Sequence, residues 1–294
     1  MAHAVGVMAH DEGANIAAAL RSILSQSGPH VGEPAVYVVA SGCTDDTVPR
    51  VREVAAADPR VRLIEQARRE GKAAAINVFL DRAEGAQVLV LAGADTRLAE
   101  GALEALLAPF DDPGVGMTGG RPVPVNAPTT LLGRVVQLQW LIHDAIARLE
   151  PKLGELVAFR RVLPALDEST AVDEASLEAA VIGAGLRRVY VPEARVAMKG
   201  PETLRDFLSQ RRRIHAGHLT LRRATGHAVS TLASGTAIRA AARLVREGRT
   251  TWPTVVASAV LEGWARLLGA WDARFGGRDH RVWRRVASTK DLTP

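Results

Sequence analysis

The chain lacks the cysteines that a disulfide framework would need. Cys43 is the only cysteine in 294 residues, so no disulfide can form within the chain. This excludes the small, disulfide-stapled secreted classes and predicts a reducing compartment such as the cytoplasm. The first residues enter an apolar run without a basic region, which we interpret as a first strand rather than a signal peptide.

Long apolar runs and nucleic-acid motifs are also missing. No uncharged apolar stretch approaches the roughly 20 residues that span a bilayer. The longest candidate, 251–261, ends at Glu262. The sequence contains no zinc-finger, RNP or basic-zipper pattern, so we expect no nucleic-acid partner. The formal charge of +5, carried mostly by arginine, suits an anionic substrate or a membrane surface.

The first third of the sequence alternates between strand and helix patterns. The period-2 or uniformly apolar segments predict strands at 4–9, 35–40, 61–65 and 87–92. Between and after them, amphipathic segments predict helices at 14–26, 46–57, 72–82 and 101–108. This order predicts an α/β fold with a mainly parallel sheet and helices on both faces. Because the carboxyl ends of parallel strands meet at one edge, the intervening loops predict a nucleotide-type site there.

The second half of the sequence is less regular. Its Gly- and Pro-rich segment 119–128 predicts a break in regular structure. Beyond it, the patterns predict helices at 130–150, 173–183 and 204–223 and a short strand at 156–159. Two more strands are expected at 188–191 and 196–198, on either side of a turn at Pro192 and Glu193. From residue 226 onward the pattern is helical.

Residues 88–96 (VLVLAGADT) are the most informative segment. An uncharged, branched apolar run ends in a small-residue turn that carries one carboxylate, Asp95. A buried parallel strand delivers a side chain to the ligand-binding edge in this way. Asp95 there can hold a divalent metal, which in turn can hold a diphosphate. The alternative is that Asp95 or Thr96 simply caps the following turn.

Four segments, in this order, resemble the family 2 glycosyltransferases, which have a GT-A fold. They are 9–16 (AHDEGANI), 38–47 (VVASGCTDDT), 71–77 (GKAAAIN) and the Ala94-Asp95 pair, which matches the second half of an Asp-x-Asp motif. The resemblance extends over about residues 4–225. It implies a nucleotide-diphosphate sugar donor and a divalent metal, Mn or Mg, held by Asp95. The donor-binding residues that it implies are His10, Glu12, Ser41, Lys72, Ala94, Asp95, Arg211 and Arg213.

Three positions depart from the family pattern. Ser41 stands where the family has an aspartate that reads uridine, and Gly93 stands where it has the first aspartate of Asp-x-Asp. Both changes predict altered donor recognition. Ile214 replaces the tryptophan of the Gln-x-x-Arg-Trp motif of polymer-making members, so we expect non-processive transfer. Lys72, Arg211 and Arg213 have an alternative interpretation as solvated basic helix faces.

An inverting transfer needs a general base near the acceptor hydroxyl. The family's acidic pair at a helix start matches Asp173-Glu174. Spacing to Leu177 places Glu174 on the family's base and leaves Asp173 as the alternative. Either residue could instead be a charge that complements the helix macrodipole.

We therefore expect a donor half at 1–120, an acceptor half of the same GT-A domain at 121–225 and a helical extension at 226–294. Trp264, Leu268, Trp271 and Phe275 share one helical stripe in the extension. Internal packing or a homodimer contact is the favoured interpretation, and a peripheral contact with the cytoplasmic face of a membrane is the alternative.

The leading hypothesis is an inverting, metal-assisted glycosyltransferase that acts on a small-molecule or lipid-linked hydroxyl acceptor. A degenerate GT-A domain that binds or scaffolds, or that transfers another group, is the alternative. A nucleotidyltransferase of similar topology is disfavoured because the loop after the first strand, 10–12, is not Gly-rich and basic.

Overall fold

The computed structural model describes residues 1–168, 170, 172–225 and 234–275. Parts of the predicted extension, residues 226–233 and 276–294, lie outside this range. The described strands are β1 His3–Ala9, β2 Ala35–Ser41, β3 Val61–Gln66, β4 Val88–Gly93, β5 Thr96–Leu98, β6 Val115–Pro124, β7 Leu156–Arg160 and β8 Arg187–Met198. The described helices are α1 Ile16–Leu24, α2 Thr47–Ala57, α3 Lys72–Arg82, α4 Ala102–Leu107, α5 Leu131–Ala147, α6 Asp173–Gly183, α7 Leu204–Thr225, α8 Ser234–Arg246 and α9 Trp252–Phe275.

The strands form one sheet in the order β3-β2-β1-β4-β7-β6-β8-β5. The first four are parallel neighbours. Strand β7 is antiparallel to both β4 and β6, β8 is parallel to β6, and β5 is antiparallel to β8. The mainly parallel α/β sheet expected from the sequence is confirmed, and the antiparallel strand β7 is inserted at its centre.

Both faces of the sheet are covered, which explains the uniformly apolar strands. In β1, Val5 and Val7 belong to a buried cluster that includes residues of α1 and α4. Their neighbours Ala4 and Met8 point to a second cluster, built with residues of α3 and α6. Packing on both faces fixes the strand ends, so the loops that follow them start from rigid positions.

Two predictions about the second half were wrong. The predicted break at 119–128 begins inside β6, where Gly119 and Gly120 permit close packing rather than a turn. A Cβ on Gly120 would lie 2.3 Å from the carbonyl oxygen of Ala194. The predicted turn at Pro192 and Glu193 lies inside the continuous strand β8, at an irregular step in its register with β6. A β-bulge accommodates a proline that has no N–H to donate. Strand β5 was not predicted.

Helix α9 packs against α7 through small residues and ion pairs. A Cβ on Gly269 would lie 2.6 Å from the carbonyl oxygen of Arg212, so only glycine allows this approach. Arg211 donates to both carboxylate oxygens of Glu262 at 2.8 Å, and Arg212 to both of Asp272 at 2.5 Å. We call Arg211, Arg212, Glu262 and Asp272 the α7–α9 network.

The aromatic members of the α9 stripe do not form this packing face, so internal packing was wrong for them; Leu268 is partly buried, and the homodimer contact stays a prediction. Trp264, Trp271 and Phe275 are each more than half exposed, whereas Leu261 packs against α5 and α7. The interface between α7 and α9 is instead formed by the ion pairs and by the close approach at Gly269. Among the described helices, none combines the length and apolar character that crossing a membrane requires.

Candidate active site

A cavity of about 820 Å³ opens at the carboxyl ends of β1, β2 and β4. The sequence-predicted residues that line it are His10, Glu12, Ser41, Lys72, Ala94, Asp95, Glu174, Arg211 and Arg213. These residues come from six segments that are far apart in the sequence: the ends of three strands and the loops after them, two helix starts and the middle of α7. Asp173 is the exception, because it is fully buried and lies behind the cavity lining.

The first two loops are fastened to each other. The backbone N–H of Glu12 donates to the hydroxyl of Thr47 at 2.7 Å, and Nδ1 of His10 lies 2.7 Å from the carbonyl oxygen of Ser41. The Ser41 hydroxyl donates to the carbonyl oxygen of Arg68 at 3.3 Å. The serine that replaces the family's aspartate is therefore hydrogen-bonded to the loop between β3 and α3.

Lys72 begins α3 directly after Gly71, whose φ of 105° is accessible mainly to glycine. This turn directs the Lys72 ammonium across the cavity to Glu174, with which it forms a close ion pair, and to within 3.7 Å of Asp173. Burial alone would lower the pKa of Lys72, but these two carboxylates outweigh burial and raise it. The ion pair joins the predicted donor half to the predicted acceptor half.

The neighbouring carboxyls Asp173 and Glu174 have different environments. Burial raises the pKa of Asp173 to about 6, and neither of its carboxylate oxygens accepts a hydrogen bond from the residues described. Burial also opposes ionisation of Glu174, but the Lys72 ammonium outweighs it and lowers the pKa. Glu174 is thus accessible and ionised. Asp173 is inaccessible, and its raised pKa favours the protonated form.

Sequence reasoning missed Glu155 as a site residue. Strand β4 pairs with β7 so that Ala92 is opposite Leu156, the last pair of this ladder, and Glu155 directly precedes Leu156 at that end of β4. Glu155 lines the cavity and has a φ of 62°, a left-handed conformation that is rare for a non-glycine residue. Burial, followed by the charges of Asp95 and Glu174, raises its pKa to about 7.

Among the residues that the structure describes, carboxylates outnumber cations around Lys72. We call Asp95, Glu155, Asp173 and Glu174 the carboxylate cluster. Lys72 and Arg213 face it, and burial lowers the pKa of Arg213 to about 10 although three of these carboxylates oppose that shift. Arg211, which was predicted to bind the donor, lines the cavity but is already paired with Glu262.

Comparison with known proteins assigns the family. The sequence profile described as Glycosyl transferase family 2 matches residues 4–160, just over half of the chain. The chain belongs to glycosyl transferase family 2.

A relative named N-acetylglucosaminyltransferase from Bradyrhizobium diazoefficiens is 29% identical over 219 residues, which are 67% of this chain and 44% of that protein. One of the same name from Rhizobium meliloti is 28% identical, over 67% of this chain and 51% of that protein. The chain spans about half the length of the curated relatives that it matches.

Solved structures confirm the GT-A fold of this glycosyl transferase family 2 member. A mannosyltransferase from Pyrobaculum calidifontis in complex with GDP-Man and Mn²⁺ has a TM-score of 0.68 and 21% identity, over 94% of this chain and 88% of that one. Glucosyl-3-phosphoglycerate synthase from Mycobacterium tuberculosis, with Mn²⁺ and UDP-glucose, has a TM-score of 0.51 and 21% identity, over 78% and 80%.

The Asp-x-Asp position of this family member has no space for the missing aspartate. A Cβ on Gly93 would lie 2.8 Å from Cγ2 of Thr96 and 3.0 Å from a carboxylate oxygen of Asp95. The Thr96 hydroxyl also donates to the Gly93 carbonyl oxygen at 2.8 Å, which holds the threonine in place. Gly93 therefore belongs to a locally repacked turn rather than to an aspartate site with one side chain removed.

The residues present suit a divalent metal. Carboxylate oxygens are the ligands that Mg²⁺ and Mn²⁺ prefer, and Asp95 and Glu155 are close enough for the charge of one to raise the pKa of the other. Burial also raises the pKa of Asp95, with partial compensation by its own backbone N–H and by Lys72. A bound cation would favour the ionised form of both carboxyls.

Proposed function

We propose that this chain is an inverting, non-processive glycosyltransferase that uses a nucleotide-diphosphate sugar. The observation that carries the proposal is the single cavity in which the donor loops, Asp95 and the accessible carboxylate Glu174 meet. Residues 1–120 would hold the donor, 121–225 the acceptor, and 226–294 would form a helical extension. The names of the curated relatives favour an N-acetylglucosamine donor.

Asp95 is the proposed metal ligand, and Glu155 is proposed to supply the carboxylate that position 93 lacks. Mn²⁺ or Mg²⁺, when bound, would act as a Lewis acid that neutralises the diphosphate leaving group. Glu12 and Ser41 would face the nucleoside. Arg213, on the same cavity wall, would face the diphosphate, whereas Arg211 is occupied by Glu262.

Glu174 is the proposed general base. Lys72 keeps it ionised, so that it can accept the proton of the acceptor hydroxyl while that oxygen bonds to the anomeric carbon and the diphosphate departs. Attack from the face opposite the leaving group inverts the anomeric configuration. Asp173 does not reach the cavity, so it is a positioning residue that acts through Lys72.

Calorimetry with UDP, GDP, UDP-GlcNAc and GDP-Man, with and without Mn²⁺, tests the donor proposal. We expect Mn²⁺-dependent binding of at least one nucleotide and its weakening in Asp95→Ala. Failure of all four to bind the wild-type protein would refute the proposal, and unchanged binding in Asp95→Ala would refute the metal assignment alone.

A second candidate function is a repurposed GT-A domain that binds a sugar nucleotide without transfer. The engaged Ser41 hydroxyl and the closed turn at Gly93 favour it, because both remove family contacts to the donor. Sugar transfer that disappears in Glu174→Gln would exclude this candidate.

We further propose that the exposed stripe of α9 contacts the cytoplasmic face of a membrane. Arg274 lies over the ring of Phe275 at 5.9 Å, and a basic side chain beside interfacial aromatics suits an anionic lipid surface. Co-sedimentation with phosphatidylserine vesicles tests this contact, and the alternative outcome, a homodimer through α9, would appear in analytical ultracentrifugation without lipid.

A further inference from the structure

The cavity continues well beyond the carboxylate cluster. It runs between α5, α8 and α9, where its lining includes Val136, Trp140, Ile238, Ala241, Val255 and Ala259. We call this part the helical groove. A nucleotide-diphosphate sugar is polar along its whole length, so nothing in the donor requires such an apolar wall. The helical groove must therefore be explained by the acceptor.

The groove is open at its far end. Ile238 and Trp252, which both line it, are 67% and 57% exposed. Val256 is one turn from Trp252 on α9 and is also more than half exposed. The apolar lining of the groove thus continues into an apolar surface, which is the arrangement that an entering alkyl chain needs.

Three cations and one carboxylate, Lys152, Arg211, Arg266 and Glu262, separate the groove from the carboxylate cluster. We call these four residues the collar. Lys152, Arg211 and Arg266 line the cavity around Glu262, which pairs with Arg211 at 2.8 Å and with Arg266 at 3.2 Å. Three cations thus surround one carboxylate. Burial, followed by the charge of Arg211, lowers the pKa of Lys152 to about 7, as expected where cations are crowded.

The positions along two helices give the order of these regions. On α7, Arg211 pairs with Glu262 of the collar, whereas Arg213, on the opposite side of the helix, is close enough to sense the charges of the carboxylate cluster. On α9, the groove residue Val255 precedes the collar residue Glu262 by seven residues, or about 10 Å of helix. An occupant that passes from Glu174 to the mouth would meet a carboxylate, then an excess of positive charge, then apolar side chains.

We propose that the acceptor is an anionic amphiphile whose hydroxyl reaches Glu174, whose phosphate lies at the collar and whose alkyl chain lies in the helical groove. This rests on the proposed function, since it identifies the second substrate of the same site. Each methylene that enters the groove should increase affinity about fourfold, which is the usual gain for burying that much apolar surface.

Alkyl phosphates test the proposal directly. Butyl, octyl and dodecyl phosphate, each below its micelle-forming concentration, are titrated into the full chain by calorimetry, with inorganic phosphate as the chain-free probe. UDP and GDP with Mn²⁺ are titrated separately. We expect affinity to rise steeply with chain length, and octyl phosphate to bind at least tenfold more tightly than the uncharged octyl glucoside. The phosphate preference should shrink in Lys152→Met.

Two exposed alanines of α9 provide a matched pair of variants. Ala259 lines the groove, whereas Ala270, three turns further along the same helix, does not. Ala259→Trp should abolish the chain-length dependence, and Ala270→Trp should preserve it. Ala237→Trp, on the α8 wall of the cavity, should repeat the effect of Ala259→Trp, and nucleotide binding reports that each variant is folded.

The possible outcomes are distinct. Equal affinity for all chain lengths, with nucleotide binding intact, would overturn the amphiphile proposal and leave the glycosyltransferase proposal standing. Chain-length dependence that survives in both Ala259→Trp and Ala237→Trp would place the chain elsewhere and also overturn it. Absence of nucleotide binding alone would refute the proposed function while the alkyl titration still reports on the groove.

Discussion

Two clusters of buried charge lie along α7, and they are built differently. In the α7–α9 network each arginine donates twice to one carboxylate, so the charges and hydrogen bonds are matched. In the carboxylate cluster four carboxylates face Lys72 and Arg213, and the oxygens of Asp173 accept no hydrogen bond within the described residues. In the first arrangement each carboxylate is hydrogen-bonded by its own arginine, whereas in the second the oxygens of Asp173 are not hydrogen-bonded by any described residue.

The pKa shifts express the same difference. Burial would raise the pKa of Glu262, but Arg211 and then Arg266 outweigh burial and lower it to about 2. At two members of the carboxylate cluster burial prevails, and it raises the pKa of Asp173 to about 6 and that of Glu155 to about 7, whereas Lys72 lowers the pKa of Glu174. Matched buried charges indicate a structural role, and unmatched ones indicate a site that a ligand completes.

The largest effect is expected at the accessible member of the carboxylate cluster. Glu174→Gln keeps the shape of the side chain but cannot accept the acceptor's proton, so kcat should fall by about 10²- to 10⁴-fold. We measure kcat as the rate at which nucleotide is released from the donor that calorimetry identifies. Nucleotide affinity should change little, and Glu193→Gln, on the exposed surface of β8, should retain full activity. A Glu174→Gln variant with wild-type kcat would remove Glu174 from the mechanism.

Substitutions in the α7–α9 network should lower the free energy of unfolding. Glu262→Gln leaves the half-buried guanidinium of Arg211 without its carboxylate, which costs about 1–3 kcal/mol of unfolding free energy. Urea denaturation measures the loss. Glu247→Gln breaks the exposed ion pair with Arg243 on α8 and should leave the denaturation midpoint close to that of the wild type. If the two variants unfold at the same urea concentration, the network has no structural role.

The two clusters should also depend on pH with opposite signs. The folded chain holds the proton of Asp173 up to about pH 6, whereas the unfolded chain releases it near 3.8. The free energy of unfolding of metal-free protein should therefore fall, by up to about 3 kcal/mol, as the pH rises from 4 to 6. Glu262, with its lowered pKa, contributes stability that is lost as the pH falls from about 4.5 to about 2.

Asp173→Asn tests whether Asp173 causes the fall in unfolding free energy between pH 4 and pH 6. The asparagine stays neutral, so this variant should match the wild type near pH 4 and exceed its stability at pH 7. Asp81→Asn, an exposed change at the end of α3, should keep the wild-type slope. Chemical denaturation in EDTA at several pH values measures both variants, and an unchanged slope in Asp173→Asn would assign the pH dependence to other groups.

The donor half was predictable from sequence because its strands and helices have clear periods. The ends of β1, β2 and β4 and the start of α3 lie where the pattern indicated. Partners across the sheet could not be derived in this way. Glu155 comes to the end of β4 only through the antiparallel register of β7 and β4, and no local period reports which strand is inserted.

Glycine was the second source of error, because the same residue serves turns and close packing. Gly119 and Gly120 predicted a break but lie inside a strand where a side chain would not fit. Gly93 stands at the first aspartate of the family motif, yet Thr96 occupies the space that a side chain there would need. In each case the sequence shows the absence of a side chain, and only the packing shows which neighbour requires it.

The last comparison, within the metal site, sets Gly93 against Glu155. Gly93→Asp alone should lose about 1–3 kcal/mol of stability, because its Cβ would meet Cγ2 of Thr96, and Thr96→Ser, which removes that methyl and keeps the hydroxyl, should recover most of the loss. Glu155→Gln should weaken Mn²⁺ binding in calorimetry or electron paramagnetic resonance. If Glu155 supplies the carboxylate that position 93 lacks, adding Gly93→Asp and Thr96→Ser to Glu155→Gln should restore Mn²⁺ affinity. A triple variant that folds and binds nucleotide but binds Mn²⁺ no better than Glu155→Gln would show that the two positions are not equivalent.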